Sequence, residues 1–192
     1  MIFPMKIKIH KFLHENKTIE LNLLTFSASD QKIFKKTFNL WKQLNGIIKN
    51  NLKGTRILNL PDALSESIVC KELEFGKLIS AKSTSSYSTS FDAFDYKNNK
   101  RIQVKCSTST GPSSFGPKSV WDEIYFLDMW NNGNLNGKYK IYLIPNDFIY
   151  NIKVNKNQKM SDQQDQSRRP RFDLRSQIII PNKIEPIIEG KI

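Results

Sequence analysis

The chain has 192 residues with 39% hydrophobic and 25% charged content, which suits a folded domain with its own core and excludes a disordered polyelectrolyte or a disulfide-stapled miniprotein. Thirty Lys and Arg against 18 Asp and Glu give a net charge of +12, an excess that points to a polyanionic partner, nucleic acid before membrane. The excess sits in the flanks, with 11 basic and 3 acidic residues over 1–60 and 11 and 6 over 131–192, around a middle of 8 and 9, so phosphate-binding surface is expected outside and cation-binding carboxylates inside.

Met1 to Lys11 lacks an apolar signal core, and no stretch approaches the ~20 apolar residues of a membrane span. With two isolated cysteines, Cys70 and Cys106, the expectation is a reduced cytoplasmic protein with no membrane association. No Walker loop, nucleophile elbow or dinucleotide fingerprint is present, which argues against nucleotide-driven motors, hydrolases of the elbow type and dehydrogenases.

In chain order, Met5 to Phe12 and Thr18 to Phe26 read as a β-hairpin about His14 to Lys17. His10 and His14, the two histidines, do not converge on such a hairpin and are poor zinc ligands. Ser29 or Asp30 caps a helix running to about Asn50, with Ile33, Phe34, Phe38, Trp41, Leu44 and Ile48 at core spacing. Its other face carries Lys32, Lys35, Lys36, Lys42 and Lys49, turned to phosphate or to solvent. Pro61 opens a second helix through about Leu73, with Ala63, Leu64, Ile68, Val69 and Leu73 inward. Lys82 to Ser90 is a hydroxyl-rich connector without an apolar period.

The central stretch, Phe91 to Ser107, has the alternation of a β-hairpin about Asn98-Asn99, since Asn tolerates the positive φ of a two-residue turn. That turn pairs Phe94 with Gln103 and Asp92 with Lys105. A loop longer or shorter by one residue would set Asp95 against Gln103 instead, so register favours Asp92 over Asp95. Gln103 and Lys105 point one way and Ile102 and Val104 the other, toward a core. Asp92, Gln103 and Lys105 then meet on one face. A carboxylate and an amide oxygen are hard ligands suited to Mg²⁺, and a lysine beside them orients a water nucleophile or stabilises developing phosphate charge. That is equipment for hydrolysing a phosphodiester.

Asp92 followed by Gln103-Val104-Lys105 resembles the PD-(D/E)xK nuclease motif, with Phe91 in place of Pro and Gln103 in place of an acid. The order NLPDALSESIVCKEL, FDAFD, IQVKCSTS, SSFGP, WDEIYFL is similar to a small family of type II restriction endonucleases and to the small cleavage subunits of heterodimeric type IIS enzymes, over about 58–129. The resemblance implies an α/β fold, a restriction-endonuclease-like central mixed β-sheet flanked by helices, and one nuclease domain over 1–192. Within it, 1–57 would be an N-terminal hairpin and helix and 150–192 a basic C-terminal segment. It also implies Mg²⁺, replaceable by Mn²⁺, held by Asp92 and Gln103 with Glu66 as an accessory ligand on the preceding helix. Double-stranded DNA is the implied substrate, and the implied partner is a second copy or a larger recognition subunit. A nonenzymatic DNA-binding subunit with a decayed site, and a repair or junction-resolving nuclease, are the rival readings.

Beyond the motif lysine, two Gly-Pro pairs keep Ser107 to Lys118 from regular structure, and Ser113, Ser114 and Lys118 are candidate DNA contacts. Asp122 to Leu127 reads as a buried central strand and Tyr139 to Ile144 as its partner, with Asp122 and Glu123 in structural hydrogen bonds rather than on metal. In the tail, Arg168, Arg169, Arg171 and Arg175 form a guanidinium cluster suited to guanine edges and phosphates, and are the foremost candidates for direct DNA contact. The alternative for this segment is a solvated loop before a final strand.

Overall fold

The computed structural model describes residues 5–52, 54, 58–82 and 90–192. The connector expected over Lys82 to Ser90 lies almost wholly outside the described residues. Among the described residues, ten strands and four α-helices follow the order β1 (Lys6–His14), β2 (Lys17–Thr25), α1 (Gln31–Asn51), α2 (Asp62–Leu73), β3 (Gly76–Lys82), β4 (Ala93–Asp95), β5 (Lys100–Ser107), β6 (Ser113–Ser114), β7 (Glu123–Asp128), β8 (Lys138–Ile144), α3 (Asn146–Tyr150), α4 (Met160–Asp165), β9 (Arg171–Phe172) and β10 (Ile188–Lys191). Eight of the strands form one mixed sheet in the order β1-β2-β3-β4-β5-β7-β8-β10, with β6 and β9 making a separate short ribbon. The expected α/β architecture, a central mixed sheet flanked by helices, is present.

The N-terminal hairpin turns at Glu15 and Asn16, both at positive φ (47° and 60°), the twist that a two-residue hairpin loop requires. Helix α1 buries Phe34, Phe38 and Trp41, a stripe at 3.6-residue spacing. The next position on that stripe is Asn45, not Leu44, which is 46% exposed. Asn45 accepts from the Leu58 N–H at 2.7 Å, and Trp41 Nε1 donates to the Asn59 carbonyl at 3.0 Å. These bonds fix where the chain returns toward α2. The five lysines on the far side of α1 are all exposed.

Both faces of the sheet are covered. Helices α1 and α2 pack Phe34, Phe38, Trp41, Ile68 and Val69 against Ala93, Ile102, Val104 and Tyr125. The opposite face buries Ile124, Phe126 and Tyr142 under Phe115, Met160, Phe172 and Ile178, which come from the chain after β5 and from the C-terminal third. A third cluster joins the N-terminal hairpin to Phe91 and Phe94. Fully burying a phenylalanine such as Phe94 or Phe115 contributes on the order of 2–3 kcal/mol. Ile178 and Ile179 sit in a π-helical turn, Arg175–Ile179, and the last strand is β10.

Every neighbouring pair in the large sheet is antiparallel except β5 and β7, which run parallel in the register Gln103 to Ile124 and Lys105 to Phe126. A parallel pair cannot be joined by a tight turn. The chain from Ser107 to Glu123 therefore crosses over the sheet, and this crossover builds one wall of the candidate site.

Candidate active site

The hairpin turn between β4 and β5 differs from the two-residue loop expected at Asn98-Asn99. Residues 96–99 form the loop, and the ladder pairs Ala93 with Ile102, Phe94 with Arg101 and Asp95 with Lys100. Phe94 therefore lies opposite Arg101 rather than Gln103, and Asp92 comes level with Gln103 rather than Lys105. The cause is Asp95, whose carboxylate caps the turn by accepting from the N–H groups of Lys97 and Asn98 at 2.9 and 3.2 Å and from Asn98 Nδ2 at 2.7 Å. Asp95 is thus committed to the loop. The slip is two residues, so it preserves which side chains share a face.

Asp92 stands just outside β4, where the strands part. Its N–H donates to the Ile102 carbonyl at 2.9 Å. Beyond that bond its own carboxylate takes over the ladder: Oδ2 accepts from the Val104 N–H at 2.7 Å and from Gln103 Nε2. The folded backbone thereby holds the carboxylate at the strand end. Gln103 is 3% exposed. Its other amide atom, Oε1, is buried without a hydrogen-bond partner, and an orphaned acceptor of this kind costs about 1–3 kcal/mol unless something occupies it.

Lys105 lies one pleat further along β5, half-buried, with Nζ 5.4 Å from the centroid of the Phe115 ring. Among the described residues no carboxylate pairs with it. Glu66 approaches from α2 and is ion-paired with Lys77 on β3. Asp92, Glu66 and Lys105 line a cleft of about 900 Å³, together with Asp62, Ser113, Ser114 and Arg171. Burial pushes the carboxyls of Asp92 and Glu66 above the usual carboxylate range. The Val104 N–H, Lys105 and Lys77 oppose the shift at Asp92; at Glu66 the Lys77 hydrogen bond opposes it and the Asp92 charge reinforces it. Two acids strained upward in this way are characteristic of a functional site.

The candidate DNA contacts divide. Ser113 and Ser114 form β6, pair with Phe172 and Arg171 of β9, and so bring Arg171 to the cleft. Arg168 and Arg169 are exposed; Arg168 borders a separate shallow groove with Lys156 and Asp162. Lys118 is exposed on the crossover, away from the cleft lining. Arg175 is tied into the fold. Its Nε and Nη2 donate to the two oxygens of Asp128 at 2.7 and 2.5 Å, and Nη1 reaches the Ser109 carbonyl at 3.4 Å. With all three nitrogens engaged and both side chains at most 15% exposed, Arg175 fastens the crossover to the end of β7. Arg175→Ala should lower unfolding stability by about 2–4 kcal/mol, because it strands a buried carboxylate; urea denaturation would check this.

The model of the family described as Bsp6I restriction endonuclease matches residues 26–181. The chain belongs to that family. It is also 34% identical over 156 residues to the type II restriction enzyme Bsp6I of Bacillus sp. (strain RFL6), an alignment that covers 79% of this chain and 82% of that enzyme. No solved structure matches. All the candidate site residues of this restriction endonuclease family member fall inside the matched span, whereas β1, β2 and β10 fall outside it.

Does the site suit a divalent cation? Among the described residues no group of three or more His, Cys, Asp or Glu side chains is arranged to hold a metal ion. The donors here are two carboxylates and one amide oxygen, Asp92, Glu66 and Gln103. An all-oxygen set fits Mg²⁺ or Mn²⁺, and the orphaned Gln103 Oε1 is an acceptor that a cation would satisfy. His10 bonds Asn99 Oδ1 at 3.0 Å and takes no part. Asp122 and Glu123, expected in structural bonds, pair with Arg101 and Lys100.

Lys77 and Asp62 are participants that motif reasoning passes over. A lysine on the helix-facing side of a strand is out of place in an apolar layer, and that mismatch was the available signal. No helix among the described residues is long and apolar enough to cross a membrane.

Proposed function

We propose that this family member is a type II restriction endonuclease that hydrolyses phosphodiester bonds of double-stranded DNA with Mg²⁺, through a PD-(D/E)xK site in which Gln103 replaces the second acid. The observation that carries this reading is the meeting of Asp92, Glu66 and Lys105 in one cleft, with Gln103 donating to the Asp92 carboxylate while its Oε1 is buried and unpartnered.

Asp92 is the anchoring metal ligand, Gln103 Oε1 the neutral one and Glu66 the accessory one, and Mn²⁺ substitutes because its oxygen preference is alike. When bound, the cation supplies charge neutralisation at the phosphate and a more acidic ligated water. The rest falls to the chain. Lys105, its ammonium 5.4 Å from the Phe115 ring centroid and without a carboxylate partner among the described residues, orients the attacking water and stabilises charge on the phosphoryl oxygens. The water oxygen forms a bond to phosphorus, one ester P–O bond breaks, and the proton lost by the water is balanced by protonation of the departing oxygen. Ser113, Ser114 and Arg171 contact the strand being cut, while Arg168, Arg169 and Lys118 hold more distant phosphates.

One such site cuts one strand, so duplex cleavage takes two, supplied by a second copy or by a larger recognition subunit. Host methylation protects against a restriction enzyme of the cytoplasm, which sets this reading apart from a repair nuclease. Supercoiled plasmid incubated with Mg²⁺ should become nicked or linear, remain intact in EDTA, and be spared when prepared from the methylating host. Cutting that persists in EDTA would overturn the metal-dependent reading.

A further inference from the structure

Glu66, which lines the cleft, already holds a cation. Lys77 reaches from β3 across to α2 and ion-pairs with Glu66 Oε2; the two side chains are 19% and 16% exposed. In the sheet Lys77 lies opposite Ala93, immediately beside Asp92, and the Asp92 carbonyl accepts from the Leu78 N–H at 3.0 Å. The charge of Lys77 favours the ionised forms of both Asp92 and Glu66, and Lys105 acts on Asp92 as well. Asp92 and Glu66 therefore already have two ammonium groups near them, Lys77 and Lys105, before any metal arrives. Such an arrangement lets two crowded acids stay buried.

We propose that Lys77 is a resident counter-ion of the metal site, holding Glu66 in the metal-free protein and giving that carboxylate up when a divalent cation binds. The proposal rests on the reading of Asp92 and Glu66 as metal ligands. An ammonium and a divalent cation sharing one partly buried carboxylate repel each other strongly, since the local dielectric screens them far less than water does. Lys77 consequently opposes metal entry and raises the concentration the site requires. Lys105 cannot play this part, because it has no carboxylate to release. Lys77 is a positioning residue, acting through Glu66.

The test is Mn²⁺ binding to the full chain without DNA, read from the electron paramagnetic resonance signal of free Mn²⁺. Lys77→Met should bind Mn²⁺ on the order of tenfold more tightly than the wild type, for removal of one nearby positive charge, and Lys77→Arg should stay close to wild type. Unchanged or weaker binding by folded Lys77→Met would overturn the proposal. A second measurement needs no variant: acylation of Lys77 in the wild type, followed by mass spectrometry, should speed up severalfold when Mn²⁺ is added, and an unchanged rate counts against release. Asp92→Asn separates the two levels of the argument. If it leaves Mn²⁺ binding intact, the metal site itself is misassigned; if it abolishes binding while Lys77→Met has no effect, only the counter-ion role fails.

Discussion

Lys105→Ala is expected to reduce the single-turnover cleavage rate by about 10³-fold or more while altering DNA affinity by less than about threefold, since one phosphate contact among several carries little of the binding. The structure makes the separation clean. Lys105 is half-buried, rests its ammonium 5.4 Å from the Phe115 ring centroid and has no carboxylate partner among the described residues, so truncation leaves no acid stranded and unfolding should shift little. Fluorescence anisotropy on an oligonucleotide duplex, beside quenched-flow cleavage, reads both quantities. Full-rate cutting by a preparation free of wild-type enzyme would remove Lys105 from the chemistry.

Asp92→Asn should abolish cleavage and yet raise the unfolding temperature. The Asp92 carboxyl is shifted upward mainly by burial. An acid that binds its proton more tightly when folded adds stability that is fully present below its unfolded pKa and lost as pH rises through the higher folded value. At neutral pH the wild type therefore carries the cost of an ionised, desolvated carboxylate. Asn removes the charge but keeps an oxygen to accept from the Val104 N–H. Asp92→Ala removes that oxygen too, leaves a buried N–H unsatisfied and should cost about 1–3 kcal/mol. Opposite signs for Asn and Ala in differential scanning calorimetry would support the ladder role of the carboxylate, and equal losses would refute it. The same upward shifts at Asp92 and Glu66 imply that Mg²⁺ stabilisation of the wild type fades on acidification at a pH above the ordinary carboxylate range, and is missing in Asp92→Asn.

How much of this was legible beforehand depends on how local the cause is. The N-terminal hairpin, α1, α2, β7 and β8 follow from apolar periodicity and turn residues, and the meeting of Asp92, Gln103 and Lys105 follows from strand alternation alone. The register between β4 and β5 did not, because Asn98-Asn99 offers good turn chemistry while Asp95, through hydrogen bonds to Lys97 and Asn98, pulls the turn wider. Alternation survived the error because the slip was even. Leu44 was expected inside because it is apolar, but the buried stripe runs through Asn45, whose amide is satisfied by Leu58. Strand β3 was hidden by its lysine-bearing sequence, and with it went Lys77. Arg175 looked like part of a basic cluster in one dimension; its partner Asp128 stands 47 positions away, beyond any local pattern.

The lone parallel junction between β5 and β7 also bears on how such an enzyme diversifies. The connecting segment is pinned from beneath by Phe115 and Trp121, both nearly inaccessible, while Ser109, Thr110, Ser113 and Ser114 along its rim line the cleft. In the proposed enzyme, exchanges at Thr110, exposed on that rim, would alter the surface offered to the double helix and leave those anchoring rings in place.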